Sequence, residues 1–308
     1  MAGWYSPDMG AAVIEDVRLP GSGPGSGPGS GPGAPGDLDD RAELIAHRRA
    51  RRRAKARRLA TGAAGIAALL VLWQAAAMAL GDQVALPSVS QTVAQFAHYL
   101  NHPYPAQGKP LWYDLYISLR RILIGFAIGV AGGVALGSAM SASRVIRHLV
   151  DPVIEILRPL PPLAFIPLFI VWLGIGETPK EVLIIVGVVP LMAVMTVAAL
   201  DEVPEDLRLC ARTLGASRWY TLLHVQIRAA LPFILTGMRL AMAGAWSSIV
   251  AVEMIAATSG LGYVIQQAGD YLDTALVFAG ILVIAVTALV IDVGLRGLLL
   301  LADPSRRG

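Results

Sequence analysis

Few residues in this 308-residue chain are of a type and spacing that could do chemistry. Five histidines, at 47, 98, 102, 148 and 224, are scattered. His98 and His102 stand four apart, but no third ligand lies near them in sequence, so no metal site is expected. The single cysteine, Cys210, excludes an intramolecular disulfide and any multi-cysteine metal site. Neither a paired acid and base nor a nucleophile with its base is visible, so no catalytic residue is assigned. What remains is charge in apolar surroundings: Arg120, Arg121, Glu253 and Asp292 all fall within long apolar runs. A charge at the centre of a hydrocarbon layer costs about 3 kcal/mol, so each must face a partner or a water-filled route. Side chains of this kind either pair structurally or line a route for a charged solute.

The elements that carry these charges are membrane spans. Hydrophobic residues make up 55% of the chain, charged residues 15%, and the mean hydropathy is +0.61. Six apolar stretches, at roughly 59–80, 115–140, 153–174, 181–200, 233–257 and 275–300, each approach the ~20 residues that a helix needs to cross a bilayer. Ahead of them, residues 1–36 are rich in Gly, Ser and Pro, and Gly21–Pro32 repeats GSGP, which predicts a disordered tail. Residues 37–58 read as a basic helix holding nine Lys and Arg between Arg41 and Arg58. It is suited to anionic headgroups; with no interleaved aromatics, nucleic-acid binding is not expected. The first apolar stretch begins too deep for a cleavable signal peptide and is expected to be retained as a signal anchor. With the N-terminus inside, cytoplasmic segments carry eighteen basic residues and outer segments only Lys109 and Lys180. The positive-inside rule therefore places both termini, including the 301–308 tail, in the cytoplasm.

The longest inner loop, 201–232, is patterned. Pro204 suits a first helical position, and Glu205 and Asp206 put acid where the helix dipole favours it. Leu207, Ala211 and Leu214 recur as one apolar face, Gly215 is a natural stop, and Ser217 caps a second helix through Trp219, Leu222, Leu223 and Ile227. Pro232 is expected to mark the entry to the fifth span. A short helix on a glycine elbow fits an element that transmits force to a soluble partner; an interfacial amphipathic hairpin fits the pattern equally.

This loop resembles the cytoplasmic loop of ATP-binding-cassette (ABC) importer permeases, whose pattern is Glu-Ala-Ala, three residues, Gly, nine residues, Ile-x-Leu-Pro. Ala211 and Gly215 match it; Leu209, Cys210 and Arg228 depart from it. The segments Leu157–Glu177, Ala211–Ser217, Leu231–Met242, Ala245–Met254 and Gly260–Ala268 resemble the permeases of the nitrate/sulfonate/taurine importer family. The resemblance implies an all-α membrane protein with six spans and the type I ABC importer permease fold, in the bacterial inner membrane. It implies a homodimer, two cytoplasmic ATPase subunits and an external solute-binding protein, with a small anion as cargo. No Gly-x-x-x-x-Gly-Lys-[Ser/Thr] loop occurs, so the chain needs no cofactor of its own and ATP would be bound by the partner subunits. Pro204, Leu209, Cys210, Ala211, Leu214 and Gly215 would then couple the chain to the ATPase.

The path is expected along the third span, where Pro159, Pro161, Pro162 and Pro167 remove four backbone donors. Pro161, Pro162 and Phe165 are candidate lining residues. Glu253 is a candidate gate, or else a structural hydrogen-bonding group at the dimer interface. Arg120 and Arg121 would draw anions to an outer vestibule; snorkelling or docking of the binding protein is the alternative. Asp292 is expected to pair with Arg296, and Arg158, Arg239 and Arg296 to snorkel at cytoplasmic ends. Gly125, Gly129, Gly133 and Gly137 are expected to pack a helix closely. A gradient-driven secondary transporter is the competing class, but it usually shows matched repeats that are not found here.

Overall fold

The computed structural model describes Arg57 and residues 60–105 and 108–302. The expected tail 1–36, the basic helix up to residue 56 and the last six residues lie outside the described residues. The chain divides into two compact units, 1–68 and 69–308. Everything below concerns the second, apart from the start of the first span.

The described residues contain α1 (Ala60–Leu80), α2 (Val89–Tyr99), β1 (Pro103–Tyr104), β2 (Lys109–Pro110), α3 (Leu111–Ala142) and α4 (Arg144–Leu157). After a 3-10 turn at Pro162–Phe165 come α5 (Ile166–Leu173), α6 (Thr178–Asp201), α7 (Glu205–Thr213) and the one-turn α8 (Arg218–Tyr220). A π-helical segment, Thr221–Gln226, leads into α9 (Ile227–Ala256), followed by α10 (Leu261–Asp270) and α11 (Thr274–Ala302). Five helices are long and apolar enough to cross a membrane, and a bent pair makes a sixth crossing possible.

The centre is α6, packed between α3 and α9. Ile122 and Phe126 of α3, Ile184, Val188 and Met192 of α6, and Ile249 of α9 form its buried core. The glycine ladder of α3 faces α6: a Cβ on Gly129 would stand 2.8 Å from Val188, and one on Gly125 2.9 Å from Ile184. Absent side chains let these two backbones approach, so the stripe is a contact within the chain.

The third span is broken outright. Arg144–Leu157 and Pro162–Leu173 meet at 91°. Proline lacks an N–H and pushes the preceding residue out of the helical region; Pro161, before Pro162, sits at ψ 125. Gly174, at φ 77, then ends α5. The fifth span departs from expectation in the other direction. Helix runs from Arg218 to Ala256, and Pro232 lies inside it without ending it. Thr236 Oγ bonds the Pro232 carbonyl at 2.9 Å.

Two short helices were not anticipated. Ser88 and Gln91 form a reciprocal cap on α2, with Ser88 N donating to Gln91 Oε1 at 2.9 Å. Gly260, at φ 115, turns the chain from α9 into α10.

Candidate functional site

Three groups of residues bear on function: a polar cluster at one end of α3, the break in the third span, and the elbow after α6.

On α3, Asp114, Ser118 and Arg121 share a face at i, i+4 and i+7, and all three are buried. They meet the turn between α9 and α10 and the residue that precedes α6. Arg121 Nη1 donates to Glu253 Oε1 at 2.8 Å and to the Ser259 carbonyl at 2.7 Å. Its Nη2 donates to Glu177 Oε1 at 2.7 Å and to Ser259 Oγ at 3.1 Å, and its Nε to the other Glu177 oxygen. Glu253 is 0% exposed and also accepts from Ser118 Oγ at 2.8 Å and Gly262 N at 3.0 Å. Asp114 accepts from Gly260 N at 2.7 Å, and Leu261 N donates to Ser118 Oγ at 2.8 Å. Glu177 is the outlying member, with its side chain 41% exposed, and Lys180 Nζ reaches it at 3.1 Å. The Arg121 guanidinium, with help from Lys180, holds the Glu177 carboxyl down at about 2 against the opposing effect of partial burial.

This corrects the reading of Arg121 as an anion attractor. Its donors are consumed by two carboxylates and a serine, because a fully buried guanidinium is tolerated only when paired. Glu253 likewise bonds within its own chain, not across a dimer interface. Arg120 differs from its neighbour: its side chain is 40% exposed, and among the described residues its one ion pair is with Glu177, at 3.5 Å. Farther along α9 and α11, Asp292 takes Arg296 as expected, at 2.8 Å, but also a two-point contact from Arg239, at 2.7 and 3.2 Å. Arg239 is therefore a paired residue.

At the break, Pro162 and Phe165 line a cavity of about 340 Å³ that also meets Arg158, Gly187 and Leu191, while Pro161 caps the 3-10 turn beside it. A Cβ on Gly187 would come within 3.3 Å of Pro162, so the missing side chain brings α6 against the break. The candidate path residues thus fall into two sets: Pro161, Pro162 and Phe165 at the break, and Arg120, Arg121 and Glu253 at the polar cluster.

The elbow is built as the spacing of its residues predicts. Pro204 precedes α7, Glu205 and Asp206 fill its first turn, and Gly215 at φ 83 ends it. Ala216 N bonds Ala211 O at 3.0 Å and Gly215 N bonds Arg212 O at 2.9 Å, the paired closure of a Schellman motif. Ser217 Oγ accepts from Tyr220 N at 3.2 Å and starts the next helix. The expected apolar face is not buried as a unit. Ala211 is covered, but Leu207 and Leu209 are exposed and Leu214 is 87% exposed. A nine-residue helix lying on one neighbouring segment has only one side to cover. Cys210 is also exposed.

Of the residues that hold these sites, Asp114, Ser118, Glu177, Lys180 and Ser259 were missed. Asp114 and Ser118 had one signal, their i, i+4, i+7 polar spacing with Arg121 on α3 within an otherwise apolar run; Glu177, Lys180 and Ser259 had none.

Long apolar helices with a proline-broken span and an internal charge cluster are the architecture of a multi-pass membrane protein. Residues 129–307 match the family described as binding-protein-dependent transport system inner membrane component. The taurine transport system permease protein of Escherichia coli strain K12 is 39% identical over 258 residues, covering 83% of this chain and 94% of that protein. A nitrate import permease protein of Synechocystis is 30% identical over 233 residues, covering 75% and 84%. A putative aliphatic sulfonates transport permease protein of E. coli is 37% identical over 183 residues, covering 59% and 70%. Among solved structures, the MetNI methionine ABC transporter aligns at TM-score 0.47 and 26% identity, over 60% of this chain and 94% of that one. The chain belongs to the family of binding-protein-dependent transport system inner membrane components. It is the permease subunit of an ABC importer, a multi-pass inner-membrane protein of a class that works with an ATPase and a binding protein.

Proposed function

We propose that this permease imports a small anion bearing a sulfonate or nitrate group, as one of two identical copies, with both termini in the cytoplasm. The named relatives supply the solute class: taurine, aliphatic sulfonates and nitrate. The observation that carries the coupling role is the elbow. Leu207, Leu209 and Leu214 lie exposed on a short helix whose end is locked by the Gly215 closure. An exposed apolar face on a rigid element suits a docking contact.

In this reading Pro204, Leu209, Cys210, Ala211, Leu214 and Gly215 form the joint to the ATPase, which binds the ATP. Pro161, Pro162 and Phe165 lie on the path. Arg121 and Glu253, occupied with each other, position the outer turn between α9 and α10, and Arg120 stands at the vestibule. The test is reconstitution of the chain with its ATPase in proteoliposomes, with binding protein added outside. Uptake of taurine, ethanesulfonate or nitrate is expected to require ATP and to survive dissipation of ion gradients. Uptake that continues without the ATPase and collapses with the gradient would overturn the proposal.

A further inference from the structure

Five arginines fall in the six apolar stretches of the sequence, and four of them have a carboxylate partner. Arg120 and Arg121 touch Glu177, Arg121 also binds Glu253, and Arg239 and Arg296 share Asp292. Arg158 is the exception. Among the described residues its guanidinium makes no ion pair and no hydrogen bond; only its backbone N is bonded, to Ile154 O at 2.9 Å. Glu155, three residues earlier on α4, is not paired with it.

Its depth is as informative as its isolation. Arg158 follows the last residue of α4 at the 91° break, and it lines the cavity opposite Gly187 and Leu191 of α6. Gly187 lies nine residues from the start of α6 and fourteen from its end, about 14 and 21 Å at 1.5 Å per residue. Arg158, itself exposed, thus shares a cavity with residues from the middle of a neighbouring span. An unpartnered cation at that depth is stable only where it faces a route that water or a solute can enter. The remaining walls, among them Leu157, Leu160, Pro162 and Phe165, are apolar and offer no competing charge.

We infer that Arg158 contacts the translocated solute directly, and that the cavity at the broken third span is a transient subsite for a small singly charged anion. The inference rests on the permease reading above and deepens it. A guanidinium presents a planar fork of donors that matches the trigonal oxygens of nitrate, sulfonate or carboxylate. One such group among otherwise uncharged side chains binds weakly enough to release its cargo, as a path requires. A cavity of about 340 Å³ also leaves room for a short organic tail beyond the anionic head.

The test uses the complete transporter, permease with ATPase and binding protein, in proteoliposomes, with ethanesulfonate and nitrate as probes. Arg158→Gln is expected to lower the maximal uptake rate of both by about ten- to a hundredfold, the loss expected for one charge-assisted hydrogen bond. The half-saturating concentration, set by the binding protein, should change little, and Arg158→Lys should recover most of the rate. Wild-type uptake in Arg158→Gln would overturn the inference. If Arg158→Gln does not assemble, Leu160→Glu and Leu160→Gln decide the matter with the arginine in place. An acid on the cavity wall should neutralise the site and block uptake, whereas the neutral isostere should not; equal behaviour of the two would refute the inference. A defect seen only in vesicles containing phosphatidylglycerol, and absent in phosphatidylcholine, would assign Arg158 to lipid headgroups and also overturn it. Absence of ATP-driven uptake of either probe by the wild type, by contrast, would sink the solute class proposed above.

Discussion

Replacing Arg121 by methionine removes the guanidinium and keeps most of the aliphatic volume. The Glu253 carboxylate, 0% exposed, would keep only Ser118 and the Gly262 N–H, while Glu177 could turn to solvent. Breaking a buried pair from one side costs about 3–5 kcal/mol, because the abandoned charge has no route back to water. Glu253→Gln should cost less, about 1–3 kcal/mol. The amide oxygen still accepts from Gly262 or Ser118, and Arg121 keeps its two contacts to Glu177. The double variant leaves no stranded charge and should be far more stable than the sum of the two losses, with a coupling of about 2 kcal/mol or more. Unfolding of the detergent-solubilised chain by titrated denaturant measures all four corners of the cycle. If Arg121→Met costs under about 1 kcal/mol, or if the two losses simply add, the cluster is not the closed unit described here.

Gly260→Ala should be poorly tolerated, with a loss of about 2 kcal/mol or more in the same assay, since φ 115 disfavours any side chain and the new Cβ would overlap the Glu253 carboxylate. Gly129→Val, whose Cβ would stand 2.8 Å from Val188, should cost about 1–3 kcal/mol by forcing α3 and α6 apart. Leu214→Glu should leave the thermal midpoint within a degree or two, because the side chain is 87% exposed, yet reduce co-purification of the ATPase severalfold. Glu177 adds a pH dependence. Its folded value near 2 lies below the ordinary value of 4.5, so its contribution is complete above that value and fades as pH falls from about 4.5 towards 2. The thermal midpoint of the wild type should therefore fall more steeply across that window than that of Glu177→Gln.

Local features were legible in the sequence to the extent that their causes were local. The elbow could be read because Pro204, Gly215 and Ser217 act on the backbone within a few residues. The break was visible as a proline cluster, although its sharpness was not; four missing donors announce disruption but not a right-angle turn. Pro232 misled because a helix already bonded to its neighbours can absorb one lost N–H, and the span simply continues through it. The polar cluster was the least legible part. Arg121 finds Glu253 across 132 positions and Glu177 across 56, and no local pattern announces such pairings. Burial alone shows that Arg121 must have a partner, and three-dimensional packing decides which.

The two intramembrane arginine environments carry opposite consequences. At the polar cluster every strong donor of Arg121 meets an acceptor, so moving any one element strands a charge, and α3, the residue before α6 and the α9–α10 turn must travel together. A region so constrained suits the fixed frame of a transporter and is a poor place to pass a solute. At the break the backbone is already interrupted, the other lining side chains carry no charge, and among the described residues the Arg158 side chain makes no bond that a passing anion would have to displace. That is the arrangement a route requires, since a site already filled by its own carboxylate must exchange one anion for another at each step. Sequence position made Arg121 the more conspicuous candidate, yet in the proposed route the arginine that meets the cargo is Arg158, unpaired among the described residues.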